Sequence, residues 1–150
     1  MQLSLRNTWQ MIDRALDQTG MYRVVTIALV FLVVCAVLLG SIGLIPYGPG
    51  EQLLSLLSAV SVALLLNVIC AKLWRVHANH ESALITALIL FFLVIPASLY
   101  QLELNFIIAA ATALAIGSKY LITWRRQHLL NPAAAGLVGL AALYALYPLP

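Results

Sequence analysis

Five apolar stretches, joined by links of which only every second one carries lysine or arginine, restrict this chain to folds built inside a lipid bilayer. Residues 24–45, 53–71, 82–102, 104–118 and 129–150 contain no base, and the one carboxylate at their margins is Glu103. A helix needs about 20 apolar residues to cross a hydrocarbon core about 30 Å thick. Backbone amides in that core must find partners within their own segment, which helices provide. The predicted fold class is therefore all-α: a polytopic membrane protein with five transmembrane helices.

The bases orient it. Arg6, Arg14 and Arg23 precede the first stretch, Lys72 and Arg75 follow the second, and Lys119, Arg125 and Arg126 follow the fourth. The links at 46–52 and 100–103 have none. Cytoplasmic loops collect Lys and Arg, so the pattern predicts the N-terminus and both basic links inside and the C-terminus outside. All eight bases agree with a five-span reading, and a miscounted helix would have put some of them on the wrong side.

With 63% hydrophobic and 9% charged residues, the chain has no segment outside the spans long enough for a soluble domain. The expected organisation is a cytoplasmic amphipathic arm at 1–23 and a five-span membrane domain at 24–150. The net charge of +3 suits inner-leaflet headgroups, and the basic stripe that nucleic-acid binding needs is missing. Within the arm, Leu5, Trp9, Ile12 and Leu16 recur at intervals of three and four, as in a helix lying in the interface. Gly20 is placed to end that helix. The first stretch is longer than a signal-peptide core and is expected to stay in the membrane. Cys35 and Cys70 form no Cys-x-x-Cys pair and read as buried apolar thiols, with metal or cluster ligation as the alternative. Pro46-Tyr47-Gly48-Pro49-Gly50 predicts a short hairpin between the first two helices.

Polar groups inside spans cost several kcal/mol unless partnered, so they mark candidate sites. One cluster runs from Asn67 through Lys72, Arg75, His77, Asn79, Glu81 and Ser82 to Thr86. A second runs from Ser118-Lys119-Tyr120 through Arg125, Arg126 and His128 to Asn131-Pro132. Their loose likeness hints at an internal repeat, although Lys and Arg extending to the interface explain most of it. In the second cluster Asn131 is a favoured N-cap and Pro132 a favoured first helical residue, followed by Ala133-Ala134-Ala135-Gly136. Such a helix start offers N–H groups to an anion or carbonyl edge if it begins below the membrane surface, and is an ordinary capped span if it begins at the surface. Asn79, Glu81 and Ser82 equally fit a plain helix start, and Glu81 has Arg75, Arg125 and Arg126 as candidate partners.

Asn67, Ala71-Lys72-Leu73, Ala78-Asn79, Glu81-Ser82-Ala83, residues 85–90, Ser118-Lys119-Tyr120 and His128-Leu129-Leu130-Asn131-Pro132-Ala133 resemble the membrane domain of the NqrB/RnfD family. The likeness covers most of the chain and matches the first half of a family built from two inverted five-span halves. It implies an electron-transfer subunit of the bacterial inner membrane that holds flavin, FMN or riboflavin, and works with a flavin/NAD reductase domain or other redox subunits. Carried over, Asn131, Pro132 and Ala133 would meet the isoalloxazine edge, and Lys119 and His128 would stabilise an anionic reduced flavin or a phosphate. Asn79, Glu81, Ser82 and Thr86 would line the facing side. Ala109-Ala110-Ala111-Thr112 lacks the serine of the family's Ser-x-Ala-Thr flavinylation string, so any flavin is expected to be noncovalent. No complete catalytic site is expected in this chain.

A reading of another class uses the same Asn-Pro-Ala triplet: a small-solute channel of the aquaporin or urea-transporter kind. Such channels need two inverted copies of the triplet, and one is present. A five-span chain with one-sided charge can meet its own copy only in parallel, which predicts a parallel homo-oligomer or a piece of a longer protein.

Overall fold

The computed structural model describes residues 20–96, 102–121, 123–124, 127–128 and 131–146. Five helices follow one another: α1 (Met21–Ser41), α2 (Pro49–Leu73), α3 (His80–Leu93), α4 (Leu102–Leu121) and α5 (Pro132–Leu146). A two-residue antiparallel ladder, β1 (Thr123–Trp124) with β2 (Gln127–His128), lies between α4 and α5 and pairs Thr123 with His128. Three helices are long and apolar enough to cross a membrane: α1, α2 and the Leu104–Leu121 part of α4. The predicted arm at 1–19 lies outside the described residues. Gly20 precedes α1, and its carbonyl accepts from the N–H groups of Arg23 and Val24 at 2.8 and 3.4 Å.

The bundle is packed by small residues. On α2 the buried positions are Gln52, Ser55, Ala59, Ala63, Asn67 and Ala71, one stripe at intervals of three and four. Ala59 and Ala63 meet Ala83 and Ala87 of α3 and Ile108 and Ile116 of α4 in one core cluster. Large apolar residues point the other way, with Leu57 at 67% and Phe31 at 65% exposure. Small residues between helices and large ones outside suit a lipid surround, where close backbone approach replaces the hydrophobic effect as the cause of association. In water the same surface would be an aggregation liability. On the flank, α1 packs on α3 through Val33, Leu88 and Phe91.

Two predicted spans, the third and the first, end early for local reasons. The third, expected over 82–102, is helical only from His80 to Leu93, 14 residues or about 21 Å. Pro96 has no N–H, and its ring would clash with the carbonyl of Phe92 if the helix ran on. The Ile95-Pro96 pair therefore fixes the stop. The fifth, expected over 129–150, starts at Pro132 and is helical for 15 residues. The first, expected to reach residue 45, stops at Ser41, where Gly43 takes a φ of 74°. The N–H groups of Gly43 and Leu44 then turn back to the carbonyls of Gly40 and Leu39 at 3.2 and 3.0 Å.

Candidate functional site

Both polar clusters of the sequence gather at one end of the bundle, where α2 and α4 finish and α3 and α5 begin. The chain leaves α2 through a left-handed residue that is not glycine, Arg75 at φ 52°. Its N–H donates to the carbonyl of Lys72 at 3.3 Å, and the N–H of Val76 donates to Ala71 at 3.0 Å. This double return closes the last turn of α2 and swings 76–79 toward α3. Asn79 then caps α3, its Oδ1 accepting from the N–H of Ser82 at 3.0 Å. Thr86 is buried and donates its hydroxyl to the carbonyl of Ser82 at 2.9 Å.

Glu81 pairs with a base outside the candidates Arg75, Arg125 and Arg126. Its carboxylate accepts from Nε of Arg23 at the start of α1, at 3.3 Å, with both side chains largely exposed. Arg75 is turned by its own backbone motif, whereas residues 125 and 126 lie outside the described residues. In this arrangement Asn79, Glu81 and Ser82 fasten the start of α3 and its neighbour α1.

The centre of this end is held by Asn67 and Tyr120. The Tyr120 hydroxyl lies 2.7 Å from Oδ1 of Asn67 and 3.1 Å from its carbonyl, tying α4 to α2. The Trp74 ring stands 6.0 Å from that of Tyr120, centroid to centroid, at a tilt of 41°. Asn67 is fully enclosed, and its Nδ2 has no partner. The sequence marked it only as the first member of a polar cluster, and its match on α4 depends on tertiary packing.

α5 begins against α4. Asn131 caps it as its type predicts, with Oδ1 accepting from the N–H of Ala133 at 3.0 Å and its carbonyl from Ala135 at 2.9 Å. Ala133 packs with Ala115 of α4 and Leu90 of α3 in one buried cluster. One turn on, a Cβ on Gly136 would stand 2.5 Å from the carbonyl oxygen of Ala111 and 2.8 Å from Cβ of Ala115, so only glycine permits this approach. The cap also narrows what Asn131 can offer a ligand. Its carbonyl oxygen is engaged, which leaves the amide nitrogen to donate.

Lys119 lies on the same face of α4 as Ala111 and Ala115, at successive four-residue steps. It is 6% exposed, and its Nζ has no hydrogen-bond partner. The side chain is enclosed by protein instead of extending to an interface. The other described bases of this end, Lys72 and Arg75, are exposed.

Of the residues singled out in sequence, the structure brings Asn131, Pro132 and Ala133 to the start of α5 against α4, and Lys119 lies on α4 four residues beyond Ala115. Asn79, Glu81 and Ser82 stand at the outer start of α3, with Thr86 one turn further in. His128 sits in β2, and its side chain lies outside the described residues. Thr112, the residue at the flavinylation-like string, is fully buried with its hydroxyl spent on the carbonyl of Ile108 at 2.8 Å. Cys35 and Cys70 are half-buried free thiols on different helices. Among the described residues no group of three or more His, Cys, Asp or Glu side chains is placed to hold a metal ion.

No protein-family model, curated protein or solved structure matches the chain. Its likeness to the NqrB/RnfD family rests on the residues quoted above.

Proposed function

We propose that this chain is a membrane electron-transfer module that binds a flavin noncovalently near the cytoplasmic face of the bacterial inner membrane. It would take electrons from a flavin/NAD reductase domain or pass them among other redox subunits, with lipid on its outer faces. The observation that carries this reading is the start of α5. Asn131, Pro132 and Ala133 form a capped helix end whose small residues lie tight against α4, the helix that carries the enclosed Lys119.

The donor set fits a flavin ring. Its pyrimidine edge has two carbonyls that accept hydrogen bonds, and the amide nitrogen of Asn131 and the first-turn N–H groups of α5 are donors. A bound flavin would supply the one- and two-electron chemistry that no protein side chain here provides. The chain's own part is to hold and orient. The half-buried Pro132 would meet a flat edge while Ala133 holds the helix start against α4, the α5 amide dipole favours negative charge on that edge, and Lys119 and His128 would add positive charge or donated hydrogen bonds. Asn79, Glu81, Ser82 and Thr86 would fix the start of α3 opposite. The buried, internally bonded Thr112 supports noncovalent attachment.

The full chain purified from membranes should be yellow, with flavin absorbance bleached by dithionite. Replacing Asn131 by Leu should reduce flavin occupancy at least tenfold, and full occupancy in that variant would refute the assigned site. Colourless protein that speeds small-solute flux in vesicles would select the channel reading instead.

A further inference from the structure

Lys119 is the one described cation that the protein encloses. Its Nζ is buried without a partner. The two described carboxylates are committed elsewhere, Glu51 to the N–H of Gly48 and Glu81 to Arg23. A buried ammonium needs a counter-charge or acceptors to replace water.

Ala115 and Ala111, four and eight residues before Lys119 on its face of α4, pack against Gly136, and Ala115 clusters with Ala133. Because α4 and α5 run antiparallel, the next turn of that face carries Lys119 past Ala133 toward the Asn131 cap, at the positive end of the α5 dipole. Helical side chains lean toward their own N-terminus, which carries the ammonium back toward this seam. The first turn also offers Ala134, whose N–H has no carbonyl partner within the helix. At the same end of the bundle Asn67 adds a second enclosed donor, Nδ2, with no acceptor. Donors and positive charge are in excess here and acceptors are short, so this seam is complementary to an anion.

We propose that Lys119 and the Asn131-capped first turn of α5 form a buried site for the phosphate group of an amphiphilic ligand. Phosphate suits the place because its several oxygens can meet an ammonium and helix-end N–H groups together. The apolar helix faces around the seam suit whatever bears it. The phosphate can belong to FMN or to an anionic lipid. The site shares its end of the bundle with the flavin proposed above, but it stands on the unpaired donors and does not require that reading.

The test is a titration of the delipidated full chain with inorganic phosphate, FMN, riboflavin and short-chain phosphatidylglycerol, followed by tryptophan fluorescence and thermal stability. At least one phosphate-bearing probe should bind the wild type. Lys119→Met should weaken that probe at least tenfold, with Lys119→Arg within about threefold of wild type, and riboflavin, which lacks phosphate, should lose clearly less than that probe does. FMN dependence identifies a nucleotide-type ligand, and phosphatidylglycerol dependence without FMN binding identifies a lipid. Binding of FMN and riboflavin with equal affinity, both unchanged in Lys119→Met, would overturn the phosphate site and leave the flavin reading intact. Phosphate binding with no flavin binding would do the reverse. The wild-type arm needs no variant: failure of every phosphate-bearing probe to bind it overturns the site, whatever the fate of Lys119→Met on folding.

Discussion

Arg75 occupies a backbone conformation that glycine usually fills, and it does so because the last turn of α2 closes only with a left-handed residue there. That conformation costs a side-chain-bearing residue about 1 kcal/mol, partly offset by the greater freedom that glycine has in the unfolded chain. Arg75→Gly is therefore expected to raise stability by about 0.5 kcal/mol, read from denaturant titration followed by helical circular dichroism. A drop of 1 kcal/mol or more would mean that the guanidinium makes a contact that outweighs its backbone. Tyr120 is a sharper case. Its hydroxyl satisfies two acceptors of an enclosed asparagine, and removing one partner of a buried hydrogen bond costs about 1–3 kcal/mol. Tyr120→Phe should lose that much, and Asn67→Leu combined with it should lose clearly less than the sum of the two single changes. Strict additivity would show that the pair is not coupled.

Between helices, the tightest joint is the one at Gly136, where α5 lies on the backbone of α4. Gly136→Val places two methyl groups where the carbonyl of Ala111 stands, and overpacking of this kind costs about 1–3 kcal/mol. The same change should loosen the seam beside Lys119, seen as faster amide exchange over 132–139 than in the wild type. Unchanged exchange would place the joint elsewhere. How much of this was legible beforehand follows from what each signal depends on. Hydropathy located all five helices because lipid exposure selects large apolar residues along their whole length. The caps at Asn79 and Asn131 were legible because capping is local, set by a side chain and the amide two or three residues on. The stop of α3 before Pro96 was equally local and was hidden by the apolar residues beyond it. Tyr120 with Asn67 and Glu81 with Arg23 were out of reach, since each joins residues more than fifty positions apart. Their partners are chosen by which helices lie side by side. Lys119 falls between these cases: its position was plain, but its enclosure follows from tertiary packing.

Across the described residues, one end collects a terminus of each of the five helices, the Arg23–Glu81 pair and the bases Lys72, Arg75 and Lys119. The opposite end has the 42–48 turn, which carries no base. Charge asymmetry of this kind sets insertion, because Lys and Arg near span ends are retained on the cytoplasmic side. The exposed Arg23–Glu81 contact contributes little to this, about 0–1 kcal/mol as a surface pair, so Glu81→Gln should leave both orientation and stability nearly unchanged. The orientation itself is open to a direct test in a background where Cys35 and Cys70 are replaced by alanine. Gly50→Cys puts a thiol at the base-free end, where a Cβ meets no other atom, and His77→Cys puts one at the basic end, where residue 77 is exposed. A membrane-impermeant maleimide added to intact cells should label the first and not the second, and permeabilisation should expose both. The reverse pattern would put Lys119 and the start of α5 on the outer face, beyond the reach of a cytoplasmic reductase, and the electron-transfer proposal would lose its donor side even if flavin were bound.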